Sequence, residues 1–132
     1  TIDSASISQQ YLKELNGTAV IVATTSTGTN IYYSVNGAAF TKVTNFTPQA
    51  SIFGLSVIDN KFVITSITNS GTSNQINFSY SSDGINWKST TVSMSEGSGS
   101  LGFTLFASLN GTYVSTNSSR IFYTNSKSIT FP

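Results

Sequence analysis

The acidic side chains are the first groups to examine for chemistry, because the sequence contains no histidine and no cysteine. The usual general base near neutral pH, the thiol nucleophile and the commonest zinc ligands are therefore absent. A glycosidase needs two carboxyl groups ~5 to ~9.5 Å apart. The acids of this chain are instead spread along its length, at Asp3, Glu14, Asp59, Asp83 and Glu96. We predict no enzymatic activity, no catalytic or metal site and no cofactor.

Composition and charge describe a single folded domain over residues 1–132. Ser, Thr and Asn account for 55 of the 132 residues, whereas charged residues are only 8% and the net charge is +1. This balance leaves no basic surface for nucleic acid. The hydrophobic fraction of 38% is sufficient for a packed core. No apolar run approaches the ~20 residues that span a bilayer, so we predict no membrane insertion.

The elements that must position any site recur along the chain. A turn pair followed by a strand occurs three times, at Asn16-Gly17, Asp59-Asn60 and Asn110-Gly111, and each is followed by a second strand and a further turn. The period of roughly 45 residues predicts an all-β antiparallel fold with three four-stranded repeats. Their approximate ranges are 9–50, 51–100 and 101–132, with residues 1–8 as a possible closing strand.

Local signals support hairpins within these repeats. Asn36-Gly37 and Asp83-Gly84 favour type I′ turns, in which both central residues have positive φ. Residues 24–29 and 68–74 are rich in Ser, Thr and Asn and are predicted to be connecting loops. The spacing of Ile7, Tyr11, Leu12 and Leu15 would suit a helix, but the repeat favours a strand over residues 11–15.

One segment carries a family resemblance. Residues 80–88 read Tyr-Ser-Ser-Asp-Gly-Ile-Asn-Trp-Lys, which resembles the blade repeat of β-propellers of the sialidase-like, Asp-box kind. The resemblance implies four-stranded blades in which Asp83 fastens the hairpin and Trp87 packs between sheets. Sialidase activity would need an arginine cluster, and the chain has only Arg120. A β-trefoil or another β-sandwich is the alternative fold.

These features favour a non-enzymatic surface module with lectin-like carbohydrate recognition. Aromatic and amide side chains suit sugar rings and hydroxyls, so the candidate ligand-binding residues are Trp87, Asn86, Tyr33 and Tyr80. The alternative is a structural component of a virion, fibre or cell-surface assembly, and either function implies an extracellular or surface location. Three blades are too few for a propeller, so we expect a homo-oligomer. Burial should separate the alternatives, since exposed aromatics beside amides favour the lectin.

Overall fold

The fold is all-β in a computed structural model that describes residues 7–48, 52–70, 73–94, 105–109, 112–116 and 121–125. No helix occurs among these residues. The strands are β1 (Ile7–Leu15), β2 (Thr18–Thr25), β3 (Gly28–Val35), β4 (Thr41–Lys42), β5 (Ile52–Ile58), β6 (Lys61–Ser70), β7 (Ser73–Ser81), β8 (Lys88–Met94), β9 (Leu105–Leu109), β10 (Thr112–Thr116) and β11 (Ile121–Asn125).

The strands form antiparallel meanders in which sequence neighbours are also spatial neighbours. The first sheet has the order β1-β2-β3-β4, the second β5-β6-β7-β8, and a three-stranded sheet has the order β11-β10-β9. The first strands of successive sheets adjoin, β1 with β5 and β5 with β9. This arrangement brings the turn that follows β1 close to the turn that follows β5.

Three tight turns set the register of the first two sheets. Asn16-Gly17, Asn36-Gly37 and Asp59-Asn60 all have positive φ at both residues, as type I′ turns require. Because the residue period of a strand is two, these turns decide which side chains face the core. The Asn16-Gly17 turn, for example, pairs Thr18 of β2 with Leu15 of β1.

The main core lies between the first and second sheets. Its buried members are Val20, Val22, Ile31, Val43, Ile52, Leu55, Phe62, Ile64 and Trp87, with Tyr11, Leu15, Tyr33 and Phe46 packed against them. The opposite face of the second sheet is buried too, since Val63 is 0% and Phe78 2% exposed. The second sheet is thus covered on both faces.

The structure decides several local predictions. The strand over residues 11–15 is confirmed within β1, and the helical alternative is wrong. The loops predicted at residues 24–29 and 68–74 are wrong at their ends. β2 continues to Thr25 and β3 begins at Gly28, while β6 continues to Ser70, which pairs with Ser73 at the start of β7. Thr and Ser side chains tolerate the pleated backbone when a partner strand is present, so their abundance does not mark a loop.

Two further predictions concern segments that lie partly or wholly outside the described residues. Of the possible closing strand at 1–8, residues 1–6 lie outside the described residues, while Ile7 and Ser8 belong to β1, where Ile7 pairs with Thr25 of the same chain. The turn predicted at Asn110-Gly111 is also outside the described residues.

Candidate functional site

The turn between β7 and β8 is held together by a network of side-chain hydrogen bonds. Ser81, the last residue of β7, donates its hydroxyl to Asp83 Oδ1 at 2.9 Å. The same hydroxyl oxygen accepts the backbone N–H of Gly84 at 2.8 Å and of Asp83 at 3.3 Å. Ser81 is 2% exposed, so this buried hydroxyl is fully used within the turn.

The Asp83 carboxylate binds the rest of the turn. Its Oδ1 accepts the backbone N–H groups of Ile85 at 2.9 Å and Asn86 at 2.8 Å. Its Oδ2 accepts Nδ2 of Asn86 at 2.8 Å. Partial burial raises the pKa of Asp83, but the hydrogen bonds from Asn86, Ile85 and Ser81 together outweigh it and lower the pKa from 3.8 to about 2. The carboxylate is therefore an ionised acceptor that closes the turn.

Trp87 completes the turn from inside the protein. It is 8% exposed, and its indole Nε1 donates to the carbonyl of Gly84 at 2.9 Å. Its ring lies 6.4 Å between centroids from both Phe46 and Phe62, distances typical of aromatic packing. The structural role that the resemblance implies for Asp83 and Trp87 agrees with these contacts.

The corresponding turn of the first sheet is a looser version. Ser34 matches Ser81 and donates its hydroxyl to the carbonyl of Ala38. Asn36 stands where the second sheet has Asp83. Its φ is positive, at 51°, whereas that of Asp83 is not. Phe40, at the place of Trp87, is 36% exposed rather than buried.

Side chains from several turns meet at one end of the two sheets. Gly17 accepts the backbone N–H of Asn36 at 2.8 Å through its carbonyl, and its own N–H donates to Glu14 Oε1 at 2.7 Å. Asn16 Nδ2 donates to Asn60 Oδ1 at 3.3 Å and so bridges the first and second sheets. Glu14, Asn16, Asn36 and Asn60 are all exposed. We call these four residues the turn-end cluster.

The β7–β8 turn adjoins the turn-end cluster. Gly84 is buried against the first sheet, and a Cβ atom added to it would lie 2.8 Å from Cγ2 of Val20 and 3.1 Å from Cγ2 of Thr18. Because Thr18 directly follows Gly17 in the chain, the Asp83 turn packs beside the Asn16-Gly17 turn. The inter-sheet contact therefore fixes the second sheet's turns relative to those of the first.

The four ligand-binding residues predicted from the sequence do not form one exposed site. Trp87 is in the inter-sheet core, and Tyr33 packs half-buried against that core. Tyr80 is 5% exposed and therefore not available on the surface. Asn86 is exposed, but its amide is bound to Asp83. The prediction that they contact a ligand stays untested.

The turn-end cluster was missed because its members come from different turns of the chain; Asn16 and Asn60, which are in contact, are 44 residues apart. The signal available in the sequence was the recurrence of asparagine in the turn pairs, which indicates a turn as readily as a binding surface. Only the packing of the two sheets brings the turns together.

The described residues contain no group of three or more His, Cys, Asp or Glu side chains that could hold a metal ion. They also include no helix of the length and apolar character needed to cross a membrane. In comparisons with known proteins, no protein-family model and no curated protein matches the chain.

Proposed function

We propose that the chain is a non-enzymatic, propeller-type β-module that binds saccharides through its turn end. The propeller interpretation is supported by the meander order of the sheets and by the adjoining first strands β1, β5 and β9. It is further supported by the hydrogen-bonded Asp83 turn and by Trp87 packed between two sheets.

The observation that carries the binding proposal is the convergence of exposed amides in the turn-end cluster. Asn16 and Asn60 use one donor and one acceptor on each other, and each amide keeps further hydrogen-bonding capacity. Amide pairs of this kind can bind the adjacent hydroxyl groups of a sugar. Glu14 adds a carboxylate acceptor beside them.

Apolar side chains flank the same end and could contact the CH faces of a sugar ring. Val35 is 40% and Phe40 36% exposed on either side of the Asn36-Gly37 turn, and Val57 is 38% exposed just before Asp59. Such a shallow site gives weak affinity, which several copies on one assembly would multiply. The proposal goes with an extracellular, virion or cell-surface location, where such ligands occur.

Binding to a panel of immobilised neutral oligosaccharides tests the proposal. The Asn16→Ala, Asn60→Ala double variant should lose binding that the unaltered protein shows. Asn45→Ala is the matched control, since Asn45 is an exposed asparagine beyond β4. Absence of binding by the unaltered protein, or equal losses in both variants, would refute the turn end as a saccharide site.

The second candidate function is a component of a larger assembly, and the difference in exposure between two equivalent leucines favours it. Leu12 and Leu55 each lie three residues before the end of a sheet's first strand and pair with Ile21 and Ile64. Leu55 is 4% exposed, beneath the first sheet, whereas Leu12 is 62% exposed. A sheet from a second copy of the chain would cover Leu12 as the first sheet covers Leu55.

Light scattering tests this homo-oligomer directly. The unaltered protein should have the mass of an oligomer, and Leu12→Ser should shift it towards the monomer. Val57→Ser is the control for loss of an exposed apolar side chain on a first strand. A monomeric unaltered protein would exclude the assembly.

A further inference from the structure

Two Asn-Gly pairs among the described turns have the same covalent reactivity but different surroundings. In any Asn-Gly pair the glycine nitrogen can attack Cγ of the preceding asparagine, because glycine has no Cβ to hinder the approach. The reaction requires a free N–H and a side-chain amide that can leave. The two pairs differ in whether the glycine N–H and the asparagine amide are held by hydrogen bonds.

At Asn16-Gly17 both reacting groups are held by hydrogen bonds. The Gly17 N–H donates to Glu14 Oε1 at 2.7 Å, a charge-assisted bond. The leaving amide of Asn16 donates from Nδ2 to Asn60 Oδ1 at 3.3 Å. Movement of the nitrogen towards Cγ would break the first bond, and departure of the amide would break the second.

At Asn36-Gly37 these restraints are missing among the described residues. Both residues are exposed, and the N–H of Gly37 has no hydrogen-bond acceptor in the described part of the chain. Nothing lies within 4 Å of the position that a Cβ of Gly37 would take. The Asn36 side chain does lie against Gly17, where its Oδ1 would be 2.7 Å from an added Cβ.

We propose that Asn36 is a site of spontaneous deamidation in the folded protein. The Gly37 nitrogen loses its proton and bonds to Cγ of Asn36, the Cγ–Nδ2 bond breaks, and ammonia leaves with the proton. Water then opens the resulting succinimide to an aspartyl or an isoaspartyl residue. No oxidant or reductant takes part.

The modification would change the turn end chemically. The aspartyl product has a carboxylate at the position that Asp83 holds in the second sheet, two residues after a serine in both cases. The isoaspartyl product adds a backbone atom to a tight turn. Either product places a negative charge beside Glu14 and Asn16 on the surface proposed to bind saccharides.

Peptide mapping by mass spectrometry during incubation at mildly alkaline pH tests the inference without any ligand. Asn36 should convert at least about tenfold faster than Asn16, which corresponds to the net contribution of one hydrogen bond to a charged group. Glu14→Ala removes the acceptor of the Gly17 N–H, and it should bring conversion at Asn16 closer to that at Asn36. The denatured chain serves as control, and its two pairs should convert at similar rates.

Three results would overturn the proposal. The first is equal conversion of Asn16 and Asn36 in the folded protein. The second is faster conversion at Asn16, which would make Glu14 a base rather than a restraint. The third is an intact Asn36 after a period in which the denatured chain has converted. None of these readouts depends on saccharide binding, so they leave the proposed function separately testable.

Discussion

Gly84 and Gly37 form a matched pair for measuring the contact between the two sheets. Both have positive φ, 78° and 77°, so replacing either with alanine imposes the same backbone conformation on a residue with a Cβ. The surroundings differ, because a Cβ on Gly84 would lie 2.8 Å from Val20 Cγ2, whereas none of the atoms around Gly37 is within 4 Å of the added Cβ.

The difference between the two variants isolates the steric term. The left-handed conformation costs alanine about 1 kcal/mol, and the entropy lost from the unfolded chain is the same in both variants. Gly37→Ala should therefore lower the free energy of unfolding by about 1 kcal/mol. Overpacking adds about 1–3 kcal/mol at Gly84, so Gly84→Ala should cost about 2–4 kcal/mol.

Thermal unfolding followed by circular dichroism measures both variants. At about 3–5 °C per kcal/mol for a chain of this size, the Tm of Gly84→Ala should lie several degrees below that of Gly37→Ala. Equal Tm values would refute the close approach of the β7–β8 turn to Thr18 and Val20. A smaller effect at Gly84 than at Gly37 would refute the inter-sheet packing as described.

Three further changes test the Asp83 turn and its counterpart in the first sheet. The pKa of Asp83 is lowered from 3.8 to about 2, so its ionised form should stabilise the fold by about 1 kcal/mol after a discount for its exposure. That stabilisation is complete above about pH 4 and is lost as the pH falls to about 2. Urea unfolding midpoints measured over this pH range should therefore fall less in Asp83→Asn than in the unaltered protein. Trp87→Ala should cost about 3–5 kcal/mol in chemical denaturation, and a cost below about 1 kcal/mol would contradict its burial. Asn36→Asp should lower the Tm, because the Asn36 side chain lies against Gly17, whose N–H is bound to Glu14, so the new carboxylate would lie near a like charge; a higher Tm would show that a carboxylate closes this turn as Asp83 closes its own.

The sequence predicted the strands best where local chemistry specifies them. Asn36-Gly37 has the predicted positive φ at both residues, a local property of these residue types. The type I′ turn predicted at Asp83-Gly84 is wrong, because only Gly84 has a positive φ there; the Asp83 side chain instead accepts the backbone N–H groups that follow it. The loop predicted at residues 68–74 failed because composition alone cannot report that two polar strands pair with each other. The repeat, rather than the helical spacing, identified the strand over residues 11–15.

The candidate site could be predicted only in part. The role of Asp83 in its turn was implied by the resemblance, and its contacts in the structure join residues at most three apart. Burial of Trp87 depends on Phe46 and Phe62, which arrive from other elements. The Asn16–Asn60 contact depends on the packing of two sheets. No local pattern contains that information.

The Asp59-Asn60 turn differs from its neighbours in having no glycine, although Asn60 has φ 59°. A glycine at position 60 would relax the backbone by about 1 kcal/mol, but it would remove the amide that holds Asn16. Asn60 thus makes the β5–β6 hairpin less stable by itself but links it to the first sheet through Asn16. A designer who placed Asn-Gly at every turn would stabilise each hairpin but would lose the hydrogen bond that joins the first and second sheets. Local idealisation and long-range cohesion are competing goals at this one residue.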